Sequence, residues 1–137
     1  MPRRVFVDTS AWLAVTDSSD VHHVQAADTY TRLLGSHTVL VVTILVIAET
    51  QIWLRRRFGS EEALAFLKNI NESMQIEIVY PDSTLEKKAK QILHQYADQD
   101  FSLADAISFA WLKEAGLSDA FSYDLHFVTA GFNLVTK

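Results

Sequence analysis

The sequence predicts an α/β fold, a three-layer α/β/α sandwich with a central parallel sheet of four to five strands. Short apolar runs alternate with amphipathic helical stretches along the chain. Apolar residues make up 49% of the 137 residues, enough to bury a sizeable core, and only four Gly and two Pro leave room for short loops. The length fits one domain, which we place over residues 1–137.

The first half of the chain is predicted to contain two strands and three helices. An apolar strand at residues 5–7 is followed by Ser10, which can cap a short helix through residue 13. Helical spacing of apolar or small residues predicts a helix over residues 22–34. A second apolar strand is expected at residues 39–42. Thr43 can then cap a helix that reaches about residue 58, before Gly59.

The second half is predicted to contain three helices and three strands. Two acids after Ser60 favour a helix start there, because they lie at the positive end of its dipole. Capping-box patterns at residues 83–86 and 102–105 predict helices to about residues 96 and 116. Strands are expected at residues 76–80, 120–122 and 134–135.

Composition excludes several classes of protein. The chain has no cysteine, which excludes a disulfide scaffold, a thiolate zinc site and a cysteine nucleophile, and fits a reducing cytoplasm. The net charge of −5 weighs against indiscriminate nucleic-acid binding. No signal peptide is visible, and the longest apolar run, residues 39–48, is too short to span a membrane. We therefore expect a cytoplasmic protein that does not bind membranes.

Four acids occupy positions where acids are unusual. Asp8 and Asp124 each follow a predicted strand, at the sheet edge where ligands gather in parallel α/β folds. Glu49 and Asp105 interrupt apolar helical stripes, which is costly for an unpaired carboxylate. Two structural explanations stay open: Glu49 could pair with Arg56, and Asp105 could serve only its capping box.

Gathering these acids at one site would require a compensating charge. Two carboxylates about 5 Å apart repel each other by about 3 kcal/mol at an effective dielectric constant of about 20. A hard divalent cation offsets this repulsion, and Mg²⁺ or Mn²⁺ prefers carboxylate oxygen. The four acids together therefore predict a Mg²⁺ (or Mn²⁺) site.

The order and spacing of these motifs resemble a known family. The relevant stretches are Val-Phe-Val-Asp-Thr-Ser at residues 5–10, helical Glu49, Phe-Ser-Leu-Ala-Asp-Ala at residues 101–106 and Phe-Ser-Tyr-Asp-Leu-His-Phe at residues 121–127. With Ala-Gly-Phe at residues 130–132, they resemble PIN-domain proteins, in particular the VapC-type toxin ribonucleases of prokaryotic toxin–antitoxin pairs. The resemblance covers essentially the whole chain.

The resemblance implies a function and a site. It implies metal-dependent hydrolysis of RNA phosphodiester bonds, a cognate antitoxin protein as partner, and a homodimer. Matched residue by residue, it makes four acids the catalytic, metal-holding quartet, namely Asp8, Glu49, Asp105 and Asp124. It gives supporting roles to three hydroxyl residues, Thr9, Ser10 and Ser122. Ala104 departs from the pattern, since relatives often have Thr there.

Basic side chains near these motifs are candidates for RNA binding. Arg55, Arg56 and Arg57 form the densest basic run, on the helix that carries Glu49. They could bind RNA phosphates, or they could form a solvated helix end that the helix dipole stabilises. His126 is either a phosphate contact or an ordinary loop histidine.

Two alternative functions remain to be weighed. A housekeeping RNA-processing nuclease without an antitoxin would have the same site. A metal-binding signalling domain or an aspartyl phosphatase would need further residues, such as a second acid close to Asp8. Thr9 and Ser10 occupy those positions instead, which disfavours this second class.

Overall fold

The computed structural model describes residues 2–136, and within them five parallel strands form one sheet. The strand order across the sheet is β3-β2-β1-β4-β5. The strands are β1 (Arg4–Val7), β2 (Val39–Thr43), β3 (Ile76–Val79), β4 (Asp119–Phe121) and β5 (Asn133–Leu134).

Helices connect the strands and cover both faces of the sheet. They are α1 (Thr9–Thr16), α2 (His23–Gly35), α3 (Ile44–Phe58), α4 (Ser60–Glu72), α5 (Ser83–Gln95), α6 (Leu103–Glu114) and α7 (His126–Thr129). Right-handed crossovers put α1–α4 on one face and α5–α7 on the other, because the chain first moves towards β3 and then returns past β1. This is the three-layer α/β/α arrangement that the sequence predicts.

The central strands are apolar because both of their faces are covered. The side chains of Val5, Phe6 and Val7 are fully buried. Phe6 contacts the layer of α6 and α7, where its ring lies 6.2 Å from that of Trp111 and 6.0 Å from that of Phe127. The sheet is thereby held between two apolar layers.

The strand order reverses between β1 and β4, and this reversal creates a crevice. Phe6 pairs with Ala120 and Val7 with Phe121, so the residues that follow the two strands emerge side by side. In open parallel sheets, ligands bind at such a switch point, outside the carboxyl ends of the strands. Asp8 follows one of these strands, and Ser122 follows the other.

Several helix starts differ from the sequence prediction. Asp8, rather than Ser10, caps α1, and that helix runs on to Thr16 instead of ending near residue 13. Asp82 caps α5 by accepting from the backbone N–H of Leu85, so the capping box predicted at residues 83–86 is wrong. In both cases an aspartate one or two positions before the predicted serine is an equally good N-cap, and pattern alone does not choose between them.

The last part of the chain contains a helix that the sequence analysis missed. Helix α7 is only four residues long, and Phe127 anchors it as a fully buried side chain. The ring of Phe127 meets that of Phe109 edge-on at 4.9 Å. This anchor fixes the segment between β4 and β5. None of the helices in the described part of the chain combines the length and apolar character that a membrane span needs.

Candidate active site

Asp8 lies at the switch point and is fixed by both its backbone and its side chain. Its backbone N–H donates to the carbonyl of Phe121 at 3.1 Å, which extends the pairing of β1 with β4 by one residue. Its Oδ2 accepts from the backbone N–H of Ser10 at 3.4 Å and so caps α1. The residue is only 7% exposed. Asp8 is therefore a buried acid whose position is set by the fold.

Two serine hydroxyls converge on the same carboxylate. Ser10 Oγ donates to Asp8 Oδ2 at 3.0 Å, and Ser122 Oγ donates to it at 3.1 Å. The backbone N–H of Tyr123 donates to Ser10 Oγ at 3.0 Å, and that of Asp124 donates to Ser122 Oγ at 2.9 Å. Each hydroxyl thus accepts a hydrogen bond from the loop after β4 and donates one to Asp8.

Burial changes the acidity of Asp8. It raises the pKa of this carboxyl from 3.8 to about 6, although the hydrogen bonds from Ser10 and Ser122 lower it. The charge of Asp105 adds to the rise. At neutral pH the carboxylate is therefore ionised at an energetic cost, and a bound cation would relieve that cost.

Glu49 reaches the same region from α3. Thr9 Oγ1 donates to Glu49 Oε1 at 3.1 Å, so the contact of this acid is Thr9 and not the Arg56 that the sequence allowed. Desolvation, and after it the charge of Asp105, raise the pKa of Glu49 above its usual value, while the hydrogen bond from Thr9 lowers it. Glu49 lies on the exposed side of its helix, where a ligand can reach it.

Asp105 forms part of the N-terminal turn of α6. Ser102 Oγ accepts from the backbone N–H of Asp105 at 3.0 Å, and Asp105 Oδ2 accepts from the backbone N–H of Ser102 at 3.1 Å. This is the predicted capping box. Since α6 runs antiparallel to the strands, its first turn lies at their carboxyl ends. Asp105 does more than cap this helix, because its charge also raises the pKa values of Asp8 and Glu49.

Asp124, on the loop after β4, and His126, the first residue of α7, complete the group. The backbone N–H of His126 donates to Asp124 Oδ1 at 2.9 Å. Nδ1 of His126 lies 3.5 Å from Asp105 Oδ2 and 3.6 Å from Asp124 Oδ1. One ligand atom from each of these three residues lies within 4.8 Å of the others. Of the four acids, Asp105 and Asp124 belong to this close group, and Asp8 and Glu49 lie near enough for the charge of Asp105 to raise their pKa values.

The donor set fits a divalent cation. Carboxylates dominate it; desolvation and, after it, the charge of Asp105 raise the pKa values of Asp8 and Glu49. Nδ1 of His126 is buried and forms no hydrogen bond with the described residues, although it lies between two carboxylates. Excess negative charge with an unpaired ligand atom is the pattern expected of a metal site.

The three arginines at the end of α3 differ in their surroundings. Arg57 Nε lies 3.1 Å from Asp17 Oδ2, and its Nη2 donates to Ser19 Oγ at 2.8 Å. Its guanidinium carbon also lies 5.4 Å from the ring centre of Trp53. Arg57 therefore holds the loop between α1 and α2. Arg55 and Arg56 are exposed in the last turn of the helix.

Sequence reasoning left His126 as either a phosphate contact or an ordinary loop histidine, and it did not place its Nδ1 between two acids. The available signal was spacing: His126 follows Asp124 by two residues, and this allows its backbone N–H to bond to that carboxylate. The missed helix α7 begins at the same residue. The buried side chain of Phe127 anchors this helix and thereby determines where the imidazole of His126 lies.

The fold agrees with a comparison with protein families. Residues 5–133 match the model of the PIN domain, and the chain belongs to that family. The 23S rRNA-specific endonuclease VapC20 of Mycobacterium tuberculosis is 33% identical over 129 residues, which cover 93% of this chain and 95% of that protein. A VapC ribonuclease of Archaeoglobus fulgidus is 29% identical over 123 residues, 88% of this chain and 77% of that protein.

Solved structures show the same likeness. The crystal structure of Mycobacterium tuberculosis VapC20, described as a sarcin–ricin loop cleaving toxin, superposes with a TM-score of 0.83 at 32% identity. The match covers 94% of this chain and 96% of that one. VapBC2 of Rickettsia felis, bound to a promoter DNA fragment, gives a TM-score of 0.71 at 11% identity, with 96% of each chain covered. That second likeness shows the fold alone.

Proposed function

We propose that this protein is a divalent-metal-dependent endoribonuclease that acts in the cytoplasm as the toxin of a toxin–antitoxin pair. The observation that carries the proposal is that Asp105 and Asp124 lie in one close group of ligand atoms, while the charge of Asp105 also acts on Asp8 and Glu49. Membership of the PIN-domain family and the likeness to VapC20 support the same reaction.

Each acid has a distinct task in the proposed site. Asp8, Asp105 and Asp124 hold Mg²⁺ or Mn²⁺ through oxygen. When bound, the cation lowers the pKa of water, polarises a phosphoryl oxygen and offsets charge on the leaving oxygen. Glu49, on the exposed side of α3, either joins the ligands or orients the attacking water. Desolvation raises the pKa of Glu49, which makes its carboxylate a better proton acceptor than an ordinary glutamate.

The hydroxyl groups position the acids. Ser10 and Ser122 fix the rotamer of Asp8 through its Oδ2, and Thr9 does the same for Glu49. Hydrogen bonds to the ionised form also keep Asp8 available as a carboxylate despite its burial. These three residues act through the acids and need not touch RNA.

Cleavage of RNA by the purified protein is the direct test. The first substrate is 23S rRNA, because the relative VapC20 is named for cleaving it. We expect cleavage with Mg²⁺ or Mn²⁺, none with a chelator, and a loss of at least about a hundredfold in Asp8→Asn and Asp105→Asn. Asp100→Asn, an exposed loop acid, is the matched control and should cleave like the wild type. Cleavage that survives in both site variants would contradict the proposal.

The role as a toxin needs a second experiment, in cells. Induction of the wild type should arrest growth, and mapping of RNA 5′ ends should reveal new ends that are absent with Asp105→Asn. If a small protein is encoded beside this chain, its co-expression should restore growth when that protein is the antitoxin. Harmless overexpression of an enzyme that is active in vitro would instead favour the housekeeping role. The homodimer implied by the resemblance stays a prediction, which light scattering can test.

A further inference from the structure

We propose that His126 is a nitrogen ligand of the cation at this site, and that the site consequently selects Mn²⁺ over Mg²⁺. The inference rests on the metal site of the proposed function and adds a residue outside the acidic quartet. It concerns metal binding and not the RNA reaction, so it can be tested without any nuclease assay.

The position of Nδ1 is the first argument. This atom is buried, forms no hydrogen bond with the described residues, and lies 3.5 Å from Asp105 Oδ2 and 3.6 Å from Asp124 Oδ1. Neighbouring ligands of an octahedral ion of this size lie about 3 Å apart. One ligand atom from each of the three residues lies within 4.8 Å of the others, so small side-chain movements would let them share one cation.

The imidazole is held in this orientation by its surroundings. The backbone N–H of His126 donates to Asp124 Oδ1 at 2.9 Å. The ring packs edge-on against the ring of Phe101, with centroids 5.0 Å apart at 67°. Next along the chain, Phe127 is fully buried. An imidazole with its proton on Nε2 then presents the lone pair of Nδ1 to the space between the carboxylates.

A charged ion-pair bridge between the two acids is the competing explanation for this position. A protonated imidazole would donate to one carboxylate at about 2.7–2.9 Å, and both observed separations are longer. Each of the two oxygens also accepts a backbone hydrogen bond, from Ser102 and from His126. The distances therefore favour an Nδ1 that is free to bind a cation over an Nδ1 that donates a hydrogen bond to a carboxylate.

The chemistry of the ligands leads to the selectivity. Mg²⁺ prefers an all-oxygen shell and retains several waters, whereas imidazole suits the first-row transition metals. Mn²⁺ accepts both carboxylate oxygen and imidazole nitrogen. One nitrogen among carboxylates therefore raises the affinity for Mn²⁺ more than that for Mg²⁺.

Pulsed electron paramagnetic resonance of the wild type with Mn²⁺ is the primary test. We expect the spectrum to show coupling to a directly coordinated ¹⁴N nucleus. His126→Phe keeps a ring against Phe101 but removes the nitrogen, and His126→Asn offers an oxygen near the same position. Both variants should lose the coupling. The control His94→Phe, which alters an exposed histidine of α5, should retain it.

Calorimetric titration of the same proteins gives the second measurement. In His126→Phe we expect the affinity for Mn²⁺ to fall by at least about tenfold and the affinity for Mg²⁺ to change much less. His126→Asn should bind Mg²⁺ at least as well as the wild type. Thermal melts confirm that each variant folds, and the wild-type spectrum decides the question even if His126→Phe does not fold.

Three results would overturn the inference: no Mn²⁺ binding, a wild-type spectrum without histidine coupling, or unchanged Mn²⁺ affinity in His126→Phe. Its failure is distinguishable from failure of the proposed function. Metal-dependent RNA cleavage that needs Asp8 but shows no nitrogen coupling refutes the histidine ligand alone. Nitrogen coupling without RNA cleavage refutes the nuclease alone.

Discussion

Ser122 bridges two acids that arise from neighbouring strands: its Oγ donates to Asp8 Oδ2 at 3.1 Å and accepts from the backbone N–H of Asp124 at 2.9 Å. The hydroxyl is fully buried. One side chain thus sets the relative position of an acid after β1 and an acid after β4. Cooperative hydrogen bonds in such a chain polarise one another, so the bridge also favours the ionised form of Asp8.

Removal of this bridge should cost both stability and activity. We expect Ser122→Ala to lower the free energy of unfolding by about 1–3 kcal/mol, since the part-buried backbone N–H of Asp124 and the buried carboxylate of Asp8 each lose a partner. RNA cleavage should fall as well, because Asp8 is no longer held. The control is Ser83→Ala, which alters an exposed serine of α5. Chemical denaturation measures the stability of both variants. Equal stability of Ser122→Ala and Ser83→Ala would contradict the bridge.

The raised pKa of Asp8 predicts how stability depends on pH in the absence of metal. The folded-state pKa of about 6 exceeds the ordinary value of 3.8, so between these values the folded protein binds more protons than the unfolded chain. The contribution of Asp8 to stability is therefore most favourable below about pH 4 and is lost as the pH rises through 6. The loss is at most about 3 kcal/mol.

Asp8→Asn tests this dependence. Asparagine can still cap α1 but carries no charge. Without metal, the variant should be more stable than the wild type at pH 8, and the difference should shrink towards pH 4. Added Mn²⁺ should stabilise the wild type more than the variant. Denaturation curves at pH 4, 6 and 8 with a chelator give the answer, with Asp100→Asn as the control. A variant less stable than the wild type at pH 8 would show that Asp8 has a structural role.

The sequence was sufficient to locate the acids, but not their surroundings. Apolar strands buried on both faces leave a clear signal, so the residues that end them, such as Asp8 and Asp124, could be assigned to one sheet edge. The capping box of Ser102 and Asp105 was confirmed because its pattern is local. Both are properties of a few consecutive residues.

Contacts between distant segments could not be derived in this way. Helix α7 is too short to have a helical period and depends on the burial of Phe127. The stripe around Glu49 was expected to be buried, but Ile52 is 40% and Trp53 36% exposed. Periodicity identifies an apolar face without identifying what covers it. The contact of Glu49 with Thr9, forty residues away, depends entirely on the tertiary fold.

The arginine run should divide into a structural residue and two surface residues. Asp17 is 5% exposed and lies beside Arg57. The hydrogen bonds from Ser19, and after them the charge of Arg57, hold the pKa of Asp17 below 3.8. This stabilising contribution is present above that pH and is lost as the pH falls below it. We therefore expect Arg57→Ala to lower the melting temperature at pH 7 more than at pH 3.

Arg55→Ala and Arg56→Ala are the matched variants. Both residues are exposed, so their melting temperatures should remain close to that of the wild type. If they contact RNA phosphates, each substitution should weaken RNA binding and reduce the dependence of affinity on salt by about one unit of log–log slope. Filter binding across a salt series measures this. An unchanged slope in both variants would assign the run to the solvated helix end.

Asp105 has two tasks, and a pair of substitutions separates them. Asn retains an oxygen that can accept from the backbone N–H of Ser102, whereas Ala leaves that group without its partner. We expect Asp105→Asn to melt near the wild-type temperature and Asp105→Ala to lose about 1 kcal/mol of stability. Both should lose metal affinity and RNA cleavage, since the charge is gone in each. Calorimetric titration with Mn²⁺ and thermal melts distinguish the two losses. If Asp105→Asn bound Mn²⁺ as tightly as the wild type, the carboxylate would be a helix cap alone, and the cation would have to be held by the other acids.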